Sequence, residues 1–360
     1  MPWYDDSMHL TAGHLNISQS IIRRYRIVAI PACNEAVHIA TCLKALAAQQ
    51  AIRPHAVVIW INNSTDGTLQ CVEALAPRLP FTVHVRTVDY AASEASAGRA
   101  RRDAMACAAS LAPEDALLFT TDADGAVAPD WMRRTLAAFA RYKVGAVFGR
   151  ALLFPHEASS IPAHLQVDDD AEQAYAAALE RISAQLAPDW HDPWPRHAEH
   201  SGASIAVTRT AWAAVGGIPD VASSEDRAFY QALRQGGFPA RHAPDVFVYV
   251  SARVVGRARG GMAETIARRL IAQDPFIDDA LETVAERMRR IRRHVIGMTV
   301  HPPIRRADLP RHHARALRVL ARLQRMRDAA SMSSAEQAGP DDTMPFVPRD
   351  HAAIHAPGTP

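Results

Sequence analysis

Asp122 and Asp124 stand two residues apart where an apolar run, 116–121, ends in Thr-Asp-Ala-Asp-Gly. On an extended chain residues i and i+2 face the same side, so both carboxylates point one way. Such a pair suits a hard divalent cation, Mg²⁺ or Mn²⁺, whose other positions stay open to phosphate oxygens. The plainer alternative is a pair of turn and cap carboxylates ahead of Pro129-Asp130. Three further polar clusters bear on the choice. Asn62, Asn63 and Asp66 fall in Asn-Asn-Ser-Thr-Asp-Gly-Thr after a second apolar run; amides and hydroxyls there can reach a base or ribose, or cap a helix. Pro31, Asn34 and Glu35 close a first apolar run in the same manner. Glu225-Asp226 opens a predicted helix, either as acids stabilised by its dipole or as a general base aimed into a site.

The elements that must position these residues follow from periodicity. Continuous apolar runs at 26–30, 56–61 and 116–121 suit strands buried on both faces, and 81–88 alternates like a strand. Helical patterns separate them, and another helix and strand follow up to residue 148. This alternation predicts an α/β fold, an open and mostly parallel twisted sheet flanked by helices. In such sheets ligands bind beyond the carboxyl ends of the strands, and three of the polar clusters lie at those ends.

Beyond 150 the alternation breaks. A long helix is expected over 164–187, with Asp168, Asp169 and Asp170 at its start or on its solvated face. The loop 188–200 is dense in Pro, Trp and His. Within it His200 is a candidate third ligand to the metal, zinc finds no Cys pattern to support it, and Trp190 and Trp194 either stack on a sugar or anchor the loop. Arg253 and Arg257, four apart in a Gly-rich stretch, either clamp phosphate or are solvated. The expected organisation is an N-terminal tail to 24, a catalytic domain over 25–260 divided near 150 into nucleotide and acceptor halves, a helical extension over 261–328, and a disordered tail from 329.

Composition narrows the function classes. The chain has 360 residues, 48% hydrophobic and 22% charged, with a net charge of +2. That is ordinary for a globular protein and gives no global signal for nucleic-acid binding. No apolar run approaches the ~18–20 residues of a membrane span, and the first 24 residues lack a cationic start with an apolar stretch. The four cysteines have no Cys-x-x-Cys spacing and read as free thiols of a reducing compartment. A cytoplasmic protein is expected. The basic helix predicted over 311–328 leaves two readings, packing on the domain or a homodimer mate, or peripheral attachment to the anionic inner face of a membrane.

PACNE, NSTDGT and TDADG, with GASIAVTRTAWAAVGGIPD, SSEDRAF and QALRQGGF after them, resemble family 2 glycosyltransferases of GT-A fold over roughly 25–260. The loop 191–204 and the stretch 251–262 are similar to a bacterial, non-processive subgroup. The resemblance implies a nucleotide-sugar donor and an acceptor hydroxyl on a small molecule, glycan or lipid. It assigns Pro31, Asn34 and Glu35 to the nucleoside pocket, Arg102 to its flank, Asp122 and Asp124 to the metal and donor pyrophosphate, and Asp226 of the Glu225-Asp226 pair to the catalytic base. Asn62 and Asn63 depart from the family's acidic pattern after strand two and leave the donor base open. The absence of Gln-x-x-Arg-Trp implies transfer of a single sugar. A nucleotidyltransferase making an activated sugar would carry a Gly- and Lys/Arg-rich loop after strand one, which PACNEA lacks. A non-catalytic sugar-nucleotide-binding scaffold would not need Asp122, Asp124 and Asp226.

Overall fold

A computed structural model describes residues 17–159, 161–253, 275–293 and 301–337. Its centre is an eight-stranded sheet in the order β3-β2-β1-β4-β7-β6-β8-β5. The strands are β1 (Arg26–Ala32), β2 (Ala56–Asn62), β3 (Thr82–Val88), β4 (Leu117–Thr120), β5 (Ala126–Val127), β6 (Ala146–Leu153), β7 (Ile205–Thr208) and β8 (Ala240–Val250). The expected parallel pattern holds through β3-β2-β1-β4. The second half is mixed. β7 runs antiparallel to both β4 and β6, β6 pairs parallel with β8, and β5 lies antiparallel on β8.

The apolar runs form strands covered on both sides. In β1, Val28 and Ile30 turn to one core with α2 (Ile39–Ala47) and α5 (Trp131–Tyr142); Ile27 and Ala29 turn to another with α4 (Ala97–Leu111) and α9 (Glu225–Gln235). Alternation along the strand therefore feeds two apolar layers, and no polar face is left to show period two. Sequence order reverses beside β1, with β2 and β3 on one side and β4 on the other. That is the topological switch point where a crevice opens.

A third core lies apart from the sheet. The helix α7 (Ala163–Leu186) buries Tyr175, Leu179 and Ile182 against Ile277, Leu281 and Val284, and against Leu309, Ala316 and Leu320 of the last helix. With α1 (Gln19–Ile22), α3 (Thr68–Leu75), α6 (Pro155–Ala158) and α8 (Arg209–Ala214) preceding them, the α-helices after β8 among the described residues are α10 (Val284–Arg292) and α11 (Leu309–Gln337). α10 starts on a full capping box between Thr283 and Glu286. The helix expected to end at 328 continues to Gln337, into the stretch read as a disordered tail. Among the described residues no helix is long and apolar enough to cross a membrane, and the four cysteines are free.

Candidate active site

The carboxyl ends of β1, β2 and β4 open into a cleft of about 1460 Å³. Pro31, Glu35, Asn62 and Asn63 line its strand-end wall, and Asp122 and Asp124 sit on its floor. Glu225, Asp226 and His200 line the opposite side, with Arg253 at one end. Gly125 lets the chain turn immediately after the acidic pair: a Cβ there would come within 2.7 Å of the Tyr249 carbonyl oxygen.

Arg101, absent from the sequence-based candidates, binds the two acidic groups together. Only 5% exposed, it donates from Nη2 to Asp122 Oδ1 (2.8 Å) and from Nε to Glu225 Oε1 (3.1 Å). Its Nη1 donates to the Gly202 carbonyl at 2.7 Å and to Thr120 Oγ1 at 3.3 Å. Burial would lower its pKa, but Asp122 and Glu225 hold it above the ordinary value. Gly202 has no room for a side chain, since a Cβ would meet the guanidinium at 2.6 Å. Its N–H donates to Asp226 Oδ2 at 3.0 Å, and the Arg227 N–H to Oδ1 at 2.7 Å. Burial, then the neighbouring Glu225, raises the Asp226 pKa.

At the other carboxylate, Arg253 bridges Asp124 Oδ2 (3.0 Å) and Glu35 Oε1 (2.8 Å). Burial first, then Asp122, pushes the Asp124 carboxyl up to about 6. Asp122 and Glu35 add negative charge to that burial, and Arg253 offsets it in part. Among the described residues no group of three or more His, Cys, Asp and Glu converges as a metal cage. Asp122 and Asp124 lie together on the cleft floor, and two carboxylates suit an ion sharing its other positions with phosphate oxygens.

Several expectations are corrected. Arg102 points away from the cleft and pairs with the exposed Asp220 at 2.6 Å. Glu225 lines the cleft beside Asp226, with its Oε1 held by Arg101. Asp66 does not line the cleft: it accepts from the N–H groups of Thr68 and Ala36 and ties two loops together. Asn34, in the left-handed region at φ 54°, accepts the Thr65 N–H and is likewise a loop tie. Asn63 spends its amide on both backbone groups of Tyr90. His200 does not join the acidic pair; its Nε2 lies 3.2 Å from Nε2 of His242, whose Nδ1 is 2.8 Å from Asp192 Oδ2. Asp168 pairs with Arg306, whereas Asp169 and Asp170 line the cleft. Arg257 lies outside the described residues.

The signal for Arg101 was present as helical period. Ala100, Ala104, Met105 and Ala108 are buried apolar residues of α4, and Arg101 is the one cation buried with them. The Asp192–His242–His200 chain left no comparable trace, because residues 192, 200 and 242 meet only through the tertiary fold.

The fold is thus an α/β sheet with a switch-point cleft floored by paired carboxylates. Residues 27–193 match the family model described as Glycosyl transferase family 2. That match spans a little under half of the chain, and over those residues the chain carries a family 2 glycosyltransferase domain. No curated protein matches it in sequence. Among solved structures it is similar to S. aureus TarS residues 1–349 in complex with UDP, at 15% identity and a TM-score of 0.44, covering 64% of this chain and 61% of that one. The mannosyltransferase PcManGT from Pyrobaculum calidifontis, in complex with GDP-Man and Mn²⁺, shows 20% identity over 88% of this chain and 79% of its own, with a TM-score of 0.44. Glucosyl-3-phosphoglycerate synthase from Mycobacterium tuberculosis shows 15% identity over 72% and 81%, with a TM-score of 0.41.

Proposed function

We propose that this enzyme moves a single sugar from a nucleotide-sugar donor to an acceptor hydroxyl in one displacement that inverts the anomeric centre. The observation that carries the reading is the shared cleft: Asp226, with its raised pKa, is linked to the Asp122–Asp124 floor through Glu225 and Arg101. A divalent cation on Asp122 and Asp124 would neutralise the diphosphate leaving group. Asp226 takes the acceptor proton, and a carboxyl with a raised pKa is better matched to that task than an ordinary aspartate. The Gly202 and Arg227 N–H groups fix its orientation. Arg253, already between Asp124 and Glu35, is assigned to the donor diphosphate, and Pro31 and Asn62 to the nucleoside.

The test is thermal unfolding with a panel of UDP-, GDP-, CMP- and dTDP-sugars, with and without Mn²⁺. A donor at ~100 times its dissociation constant adds about 2.7 kcal/mol to stability. One donor class should stabilise only with Mn²⁺, Asp124→Ala should remove that effect, and Asp226→Asn should keep it while losing transfer. Donor stabilisation unchanged in Asp124→Ala would refute the metal assignment.

A further inference from the structure

The outer face of α11 carries Arg311, Arg315, Arg318, Arg322 and Arg325, all exposed. Their spacing alternates four and three residues, which on a helix keeps side chains in one nearly straight row. The row is about 21 Å long at ~1.5 Å per residue. It lies opposite Leu309, Ala316 and Leu320, which pack into the third core, so the helix is pinned with its arginines outward. Among the described residues none of the five arginines is ion-paired, and the nearby Asp328 accepts from Gln324 instead. The whole chain has a net charge of only +2, so this face concentrates its positive charge.

We propose that this arginine ridge docks the enzyme on an anionic phospholipid surface. A second copy is a poor occupant, since two such ridges repel. A polyanion such as nucleic acid would use the cations, but the aromatic rings among them, His312 and His313, are half-buried against Tyr175 and not presented for stacking on bases. Leu317 and Met326, 51% and 59% exposed, flank the row on either side. Such side chains settle among lipid headgroups, where basic residues meet phosphate. α7 lies between ridge and cleft. It gives Tyr175 and Leu179 to the third core and Gln173, Ala176 and Glu180 to the cleft wall, so docking would fix how the cleft faces the lipid. This proposal stands on the helix face and not on the reaction assigned above.

The experiment is co-flotation of the full chain with vesicles of phosphatidylcholine, with or without phosphatidylglycerol, at 50 mM salt. Binding is expected only with phosphatidylglycerol and should fall at least tenfold at 0.5 M salt. Each arginine near the surface contributes about fivefold in partitioning, so Arg315, Arg318 and Arg322 all →Gln should weaken binding roughly a hundredfold. An equal charge change at Arg53, Arg78 and Arg86 should leave binding nearly intact, and circular dichroism checks that both variants fold. No flotation with phosphatidylglycerol, equal flotation without it, or equal loss in both triple variants would overturn the proposal. So would tighter capture by a duplex oligonucleotide at the same salt.

Discussion

Replacing Arg101 by Ala should be far more costly than the same change one residue later. Arg101 is buried and makes four polar contacts, two of them to carboxylates. Removing one partner of a buried ion pair typically costs about 3–5 kcal/mol, because the remaining charge stays desolvated. Here the carboxylates are not equally dry. The Asp122 side chain is 32% exposed and can recover water, whereas Glu225 is 14% exposed and sits beside Asp226. The low end, about 3 kcal/mol, is the expected loss. For a body of this size each kcal/mol moves the midpoint by roughly 2–4 °C, so Tm should fall by about 6–12 °C. Arg102 faces Asp220, whose side chain is 76% exposed, and Arg102→Ala should shift Tm by no more than a degree or two. Thermal unfolding followed by near-ultraviolet circular dichroism reads both. A double-mutant cycle of Arg101→Gln with Glu225→Gln should add a coupling of about 1–3 kcal/mol. Equal Tm values for Arg101→Ala and Arg102→Ala would refute the bridge.

Gly202→Ala forces its Cβ against the Arg101 guanidinium and should reproduce much of the Arg101→Ala loss; an unchanged Tm would show that the guanidinium can move aside. Acid should destabilise the fold in two stages. His197 and His200 are held well below the usual histidine range, by burial first, so below about pH 6.5 only the unfolded chain takes up their protons. Each then costs about 1.4 kcal/mol per pH unit, and His197→Gln should roughly halve the slope between pH 6.5 and 5.5. Burial would raise Asp192, but His242 and Arg196 hold it at about 2, and Arg287 and Arg196 do the same for Glu180. These two stabilise above about pH 4, and that contribution is lost as pH falls toward 2. A Tm flat between pH 7 and 5 would contradict buried neutral histidines.

What the sequence discloses here depends on how local the cause is. The apolar runs at 27–30 and 57–61 carry their burial in their own composition, because a strand covered on both faces needs no partner to identify it. Asp122 and Asp124 are legible for a similar reason, since their spacing and Gly125 are contiguous. Asp66 and Asn34 show the limit. Their types suit ligand contact and loop bracing equally, and only the Ala36, Thr65 and Thr68 N–H groups, supplied by a folded neighbour, make them braces. The arginine of α4 is the sharper case. A motif match selects Arg102 by alignment, yet a helix turns about 100° per residue, so a one-position offset swings the guanidinium from the cleft floor to a pairing with Asp220. The choice between the two is made by the face that Ala100, Ala104 and Met105 must bury, and by Gly202, more than a hundred residues away in the chain, leaving space for one guanidinium. A reading of helical faces ahead of motif alignment would therefore have placed the residue that organises this site.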